Sequence, residues 1–501
     1  MLPIFAHYLG SEGYGIFGML EVISGIMTVI VGYGLLGGMQ RFYFEKETET
    51  ERKTVISTAI IVTVLIVLIV CFPVFLLKKQ ISHLAFGDPV FANYVAISVV
   101  AFFFDMTAQS AGGYLLIKQN SLLFTLFSIQ RFILSVVLNI YFLIYLEMGV
   151  LGLLYSSLIS VIIYSASLHI HALWHVGLSF SRDDAQKIIR FNLPLIPGYI
   201  AGLVRNDADK VILRSFLGLA ELGSYNMLLK FSSLIVLFVV QPFLRIWTVK
   251  RLEACETSDG PDFMAKMFTI QLALMLFVGL ILALEVPLVL RIMTPQEFWM
   301  PGFFVLLAVF AKILFGAYYH FNFGLIYEKI TYKISVIQTV TALFGLAMSF
   351  VFIKYFEILG ALIASNLMFF FQCILAHVIS NKYYRIPFEW TKISGLIFTT
   401  SILFFMIDGL DISTHLSSGY FIDVLSSLAV KAMNFLSLNN FRGGVLMTSV
   451  IGYMPLLVEG LVKLVLSFSY IGVLVVCGLV TYKQLINFMK LSVGKLKFAT
   501  R

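Results

Sequence analysis

Arg205, Asp207, Asp209 and Lys210 interrupt one of the apolar stretches of this chain, residues 191–216, with Asn206 among them. An ionised side chain at the bilayer centre costs about 2.5–3.5 kcal/mol on the insertion scale, so such groups face water, a ligand or each other. A guanidinium held there can grip phosphate in a bidentate fork. On a helical wheel stepped by ~100° per residue, Gly198, Gly202 and Asp209 fall on the same face as Arg205. That stripe is small at one end and charged at the other. Pro194 and Pro197 at its small end predict a bend, because proline removes a backbone donor and crowds the preceding turn. The expectation is a helix that lines a cavity and bends between states. Its binding candidates are Arg205, Asp207 and Asp209, and its hinge candidates are Pro194, Pro197, Gly198 and Gly202. The plainer alternative is an Arg205–Asp209 pair one turn apart, with the glycines serving close helix packing.

Three more charges inside apolar stretches extend the candidate set. Lys312 lies near the middle of its stretch, with Tyr318, Tyr319 and His320 further along. Arg131 and Asp105 sit at comparable depths on neighbouring stretches. Headgroup binding and a structural ion pair are equally good readings of those two. Lys230 and Lys463 lie close enough to stretch ends to snorkel into the headgroup layer. Glu21 and Glu285 read as interfacial. The set is mixed in sign, so it does not by itself select an anionic ligand.

The elements that must position these charges follow from composition. Of 501 residues, 60% are hydrophobic and 12% are charged, about half the charged share of soluble domains. A soluble enzyme and a disordered chain are both excluded, the first for lack of polar surface and the second for excess apolar surface. We read thirteen apolar spans, each near the length that crosses ~30 Å of hydrocarbon. The first six are 16–38, 55–77, 90–117, 122–146, 151–172 and 191–216. The other seven are 225–243, 263–290, 302–325, 334–356, 358–378, 393–410 and 461–481. They do not alternate with period two, which argues against a β-barrel. The fold class is an all-α polytopic membrane protein.

The loops 41–53, 182–190, 245–266, 329–333, 382–392 and 483–501, with Lys118, carry most of the 35 Lys and Arg. By the positive-inside rule that side is cytoplasmic, which places the C-terminus inside. The stretch 411–460 then lies outside, and its mixed character suggests an interfacial helix. The net charge of +8 reports topology, and no Lys/Arg-rich module points to nucleic acid. The four cysteines form no disulfide framework or zinc motif.

An internal repeat organises the spans. Leu9, Gly10, Gly15, Met19, Leu20 and Ser24 recur in register as Leu217, Gly218, Gly223, Met227, Leu228 and Ser232, with Phe17 opposite Tyr225. Duplicated helix bundles are a common transporter plan. The second copy is preceded by a full span, so the register predicts that part of the first helix is missing at Met1.

The segments Leu9-Gly-Ser-Glu-Gly-Tyr-Gly-Ile-Phe17, Leu195-Ile-Pro-Gly-Tyr199, Asn206-Asp-Ala-Asp-Lys-Val-Ile-Leu213 and Gly218-Leu-Ala-Glu-Leu-Gly-Ser-Tyr225 resemble polysaccharide-export flippases. These are the Wzx-like, polysaccharide biosynthesis branch of the multidrug/oligosaccharidyl-lipid/polysaccharide (MOP) exporters, related to the MATE drug transporters. The resemblance implies two six-helix lobes around a central cavity, plus a C-terminal helix pair. On that plan the lobes are 1–180, with an incomplete first helix, and 181–390. Residues 391–501 hold the helix pair and an insertion at 411–460. The implied activity is alternating-access transfer of a lipid-linked oligosaccharide, on a polyprenyl pyrophosphate, from the cytoplasmic to the outer leaflet of the cell membrane. Other polysaccharide-assembly proteins are implied partners. No cofactor and no enzyme activity are expected. The chain has no Walker lysine loop, H-E-x-x-H or G-x-S-x-G, so energy would come from an H+ or Na+ gradient or from removal of the cargo outside. Gly32-Tyr-Gly-Leu-Leu-Gly37 matches a dinucleotide fingerprint but follows no strand. His169, His171 and His175 cluster at a span end without a third metal ligand on their face. Two alternatives remain: an ion-coupled multidrug or organic-cation antiporter of the same superfamily, and a membrane-embedded glycan polymerase.

Overall fold

The structure, a computed structural model, describes residues 2–32, 34–409 and 459–474. The described residues are predominantly helical, with no strand among them. The expected interfacial helix at 411–460 lies outside them, apart from its last two residues.

Sixteen helices follow in order up to residue 408. They are α1 (Leu2–Val31), α2 (Gly34–Phe44), α3 (Glu49–Leu76), α4 (Lys78–Phe86), α5 (Ala92–Ile117), α6 (Ser121–Asn139), α7 (Gly149–Val176) and α8 (Arg182–Asn192). Then come α9 (Ile196–Leu217), α10 (Leu219–Ser232), α11 (Gln241–Ala254), α12 (Gly260–Met293), α13 (Gly302–Phe321), α14 (Phe323–Tyr327), α15 (Thr331–Ser380) and α16 (Trp390–Asp408). A further helix, α17, covers 459–474.

Ten helical segments among the described residues are long and apolar enough to cross a membrane. Three features reconcile that number with the thirteen spans read from sequence. The 50-residue α15 is two helices merged across Glu357, whose φ of 53° breaks it at the boundary between the two predicted spans. Helix α9 carries too many charges to qualify by hydropathy. Part of the thirteenth span is α17. The helices also begin before the hydrophobic runs do. Helix α3 starts at Glu49 because Thr48 and Glu51 close a capping box, each side chain meeting the other's backbone N–H. Hydropathy registers only the membrane-buried part of such a helix.

Packing divides the chain into two compact units. One comprises Met1–Met227 and Ser335–Met368, the other Leu228–Ile334 and Phe369–Arg501. In the first, α5 is central and packs on both α3 and α7. Its Val95, Val99, Ala108 and Leu115 are buried. In the second, α12 is central, against α11, α13 and α16. The outward faces carry Leu68, Ile69, Phe72, Phe132, Phe350 and Phe398, each at least half exposed. Such a surface is stable only in lipid.

The repeat has a conformational signature. Gly10 (φ 66°, ψ −179°) and Gly218 (φ 109°, ψ −171°), counterparts in register, break the chain in the same way. That region of backbone space is essentially restricted to glycine. The pattern continues downstream. Helix α1 breaks at Gly32 and resumes as α2. Helix α10 passes through the π-helical turn Val236–Val240 and resumes as α11, the register equivalent of α2.

Candidate functional site

Helix α9 forms its start as its prolines dictate. Pro194 lies in the 3-10 turn Leu193–Leu195 and Pro197 in the first turn of α9, where a missing N–H leaves no bond unmade. This turn joins α9 to α8. Helix α8 is anchored by Ser181, whose hydroxyl accepts from the Asp184 N–H at 3.2 Å. The loop before it is held to α3: Ser179 N–H donates to Ser57 Oγ at 2.9 Å and Ser181 N–H to Thr58 Oγ1 at 3.0 Å. Lys46 pairs at 3.0 Å with Asp184, whose side chain is 4% exposed. On the outer face of α8, the Lys187 ammonium holds the Asp183 carboxyl below the usual carboxylate range. Leaving Asp184 alone should cost about 3–5 kcal/mol, the penalty for removing one partner of a buried pair. Lys46→Met should therefore lower the thermal midpoint markedly, whereas Lys187→Met, at an exposed pair, should leave it within error in the same assay.

Gly198 and Gly202 face open space, since a Cβ at either would meet no atom within 4 Å. They are not close-packing contacts. The charged end of α9 is organised differently from a simple Arg205–Asp209 pair. Lys210 Nζ lies 2.7 Å from Asp207 Oδ1, with side chains only 15% and 22% exposed. The Asp209 carboxylate accepts from Tyr225 Oη at 2.5 Å and from the Lys210 backbone N–H at 2.9 Å. Tyr225 itself is fully buried. Glu21 on α1 adds its charge to the surroundings of Lys210. Gly25 brings α1 close, and a Cβ there would stand 3.8 Å from Asp207 Oδ2. Arg205 lies two turns into the same helix, partly exposed. Within this unit, then, α1, α9 and α10 converge on a partly buried polar arc of both signs.

Tyr225 is the residue that sequence reasoning did not select. Its signal was available: in the repeat it stands where the first copy has Phe17, so a hydroxyl has been added to an otherwise apolar position.

Arg131 and Asp105 do meet. Their charged atoms are 2.6 Å apart, the side chains are 38% and 36% exposed, and the guanidinium lies 5.1 Å from the centre of the Tyr164 ring. The pair bridges α5 and α6 and is separate from the α9 network. Lys312 belongs to the other unit, where it is partly exposed on α13. There Tyr318 and His320 are buried, and His320 hydrogen-bonds Gln271. Arg251 is also buried, although it was expected in a cytoplasmic loop. It donates at 3.1 Å to the Tyr319 carbonyl, near the C-terminal end of α13 where a cation is favoured. Lys463 does not snorkel: it is 7% exposed and pairs with Glu459 at 2.8 Å. Among the described residues no group of His, Cys, Asp and Glu is arranged to hold a metal ion.

Both register-equivalent helix breaks line cavities. The break at Gly32 borders a small void of about 30 Å³ with Thr28, Thr63, Gln109 and Ser110. The break at Val236–Val240 borders a cavity of about 290 Å³ lined by Phe238, Pro242, Trp247, Lys250 and Phe263. Interrupted helices at corresponding places in two repeats are the usual mark of a transporter's binding region.

Comparison with known proteins agrees with this architecture. Residues 1–247 match the family described as polysaccharide biosynthesis protein. No curated protein matches the chain. The fold is similar to that of the lipid II flippase MurJ in an inward closed conformation. The TM-score is 0.69 at 13% identity, over 94% of this chain and 95% of that one. It is also similar to an inward-facing multidrug resistance MATE family transporter of the MOP superfamily. There the TM-score is 0.62 at 15% identity, over 79% of this chain and 93% of that one. The chain is a multi-pass membrane protein with the fold of these two transporters, and its residues 1–247 match the polysaccharide biosynthesis protein family.

Proposed function

We propose that this protein is a flippase. Its cargo is a lipid-linked oligosaccharide, carried on a polyprenyl pyrophosphate, moved from the cytoplasmic to the outer leaflet of the cell membrane for surface polysaccharide export. The single observation that carries this reading is the partly buried polar arc of α9, within an otherwise apolar span. A pyrophosphate and its sugars cannot cross ~30 Å of hydrocarbon unaided, and a hydrated polar path lowers that barrier. In this reading Arg205 binds the pyrophosphate, Asp207 and Asp209 hold sugar hydroxyls, and Arg131, Asp105 and Lys312 are further binding candidates. Pro194, Pro197, Gly198 and Gly202 form the hinge. The lobes are 1–180 and 181–390, followed by the helix pair in 391–501, with the C-terminus cytoplasmic.

A second reading has one observation in its favour. The arc holds Asp207 and Asp209 as well as Arg205, and carboxylates suit an organic cation. An ion-coupled multidrug antiporter would use them so.

The test is the leaflet distribution of lipid-linked glycans in a strain lacking the gene. Cytoplasmic-leaflet accumulation, relieved by the wild-type gene and not by Arg205→Ala, is the expected result. Arg205→Lys should restore only part of the export, because an ammonium cannot make the bidentate contact. Normal glycan delivery with lost drug resistance would replace the flippase by the antiporter. Single repeat units building up in the outer leaflet would indicate a polymerase.

A further inference from the structure

Glu285, Glu459 and Lys463 come together inside the second unit, Glu459 and Lys463 buried and Glu285 partly exposed. Glu285 is on α12, roughly two turns before its end. Glu459 and Lys463 are one turn apart on α17 and pair at 2.8 Å, with side chains 8% and 9% exposed. The lysine serves Glu459 and not Glu285. Glu285 Oε1 is buried with no hydrogen-bond partner, and so is Glu459 Oε2. Gly460 has no side chain, and a Cβ there would stand 3.0 Å from Glu285 Oε2. The Glu285 carboxylate therefore rests against the α17 backbone next to Glu459.

Helix α17 is fixed at this spot by more than charge. The Tyr470 ring stacks on Phe277 of α12 with centroids 5.9 Å apart, and its hydroxyl lies 3.3 Å from Thr400 Oγ1 of α16. The surrounding charges are few. On α16, Asp408 approaches α12 near the Ala283 carbonyl, across Gly302 of α13. Arg291 follows on α12 itself and is exposed. The charges that act on Glu285 among the described residues are those of Lys463 and Glu459. Among the described residues, two carboxylates and one ammonium leave one negative charge without a counterion.

We propose that Glu285, Glu459 and Lys463 form a proton-binding site that joins α12 to α17, with Glu285 carrying the proton. A protonated Glu285 is neutral and can donate its O–H to the free oxygen of Glu459, while Lys463 neutralises Glu459. That single proton satisfies both orphaned oxygens and removes the excess charge. A metal cation suits the site less, because Lys463 already occupies the cationic position. The site stands whether or not the chain is a flippase. If the transport reading above holds, this proton is the natural coupling ion, and only that last step rests on it.

The experiment is infrared spectroscopy of the purified full chain at pH 7 in an ester-free detergent, where ordinary carboxyl groups are ionised. The wild type should show a carbonyl band of a protonated carboxylic acid that Glu285→Gln abolishes. Glu459→Gln should abolish the same band although Glu285 is intact, because Lys463 is then free to pair with Glu285. Lys463→Met should enlarge the band about twofold, since both carboxylates then need protons. The first two variants are near-isosteric and remove charge, so they suffice if Lys463→Met does not fold. A band unchanged in Glu285→Gln or in Glu459→Gln overturns the proposal. Loss of the wild-type band on adding sodium at constant pH also overturns it, in favour of a metal cation. Failure of the leaflet assay, by contrast, would leave this result untouched.

Discussion

Alanine at Gly223 is expected to disrupt the protein severely for a single-methyl change. A Cβ at this position would fall 1.8 Å from the Ser11 carbonyl oxygen, and the register-equivalent Gly15 would place one 1.8 Å from the Leu219 carbonyl oxygen. Ser11 and Leu219 are themselves equivalent in the repeat. The two copies therefore meet about a local two-fold axis, each glycine receiving the other copy's backbone. On that axis Asn226 fills the slot opened by its own counterpart Gly18, where a Cβ would stand 1.8 Å from Asn226 Nδ2. Non-bonded contacts need roughly 3.5 Å, so the α1 and α10 backbones would have to part by well over 1 Å. Overpacking a tight site usually costs about 1–3 kcal/mol, and more where backbone and not side chain must yield. Gly15→Ala and Gly223→Ala should each lower the thermal midpoint of the purified protein strongly and abolish complementation in the deletion strain. Gly198→Ala and Gly202→Ala, which face open space, should leave the midpoint unchanged. If Gly223→Ala melts like the wild type, the close approach is not part of the folded state.

The second large effect is expected at Lys210. Its ammonium compensates Asp207 directly at 2.7 Å and adds its charge to the field at Asp209. Lys210→Met removes that positive charge and leaves both carboxylates in a largely buried setting. Removing one partner of a buried pair costs about 3–5 kcal/mol, mostly because the other charge stays behind. Lys210→Met should therefore destabilise the protein severely. The double variant Asp207→Asn with Lys210→Met should recover most of that loss, because no orphaned charge remains at the pair. Equal losses for the single and the double variant would show that the lysine acts by another route. Tyr225→Phe should cost less, about 1.5–3 kcal/mol for one hydrogen bond to a charged group. It also restores the phenyl ring that the first repeat copy has at Phe17.

The two effects separate what pattern can convey from what it cannot. The boundary between two spans at residue 357 was legible because a charge interrupts an apolar run there, and the backbone breaks at that residue. The repeat was legible because glycines recur in register, and Gly10 and Gly218 share a conformation that other residues avoid. The polar arc of α9 was legible because charges in an apolar span stand out against the cost of burying them. Partners within the arc were not. A helical wheel places Asp209 near Arg205, yet the Tyr225 hydroxyl that reaches Asp209 comes from the next helix. The wheel knows one helix and not its neighbours.

Depth along a span misled in the same way. Lys463 and Glu285 lie near span ends, where long polar side chains ordinarily reach water. Distance from a span end measures access to the interface only if nothing covers the residue. Here α17 lies against α12, so Lys463 and Glu459 are buried and Glu285 is partly covered. By itself the sequence determined the membrane class, the position of the spans, the duplication and the helix that carries the charges. Each of these follows from transfer free energy and backbone sterics acting residue by residue along the chain. Only the tertiary structure decided which charge meets which, that Gly15 and Gly223 face each other, and that Glu285 rests against α17 beside the Lys463–Glu459 pair. Those depend on which helix faces pack, a property of many residues acting across space that no local pattern records.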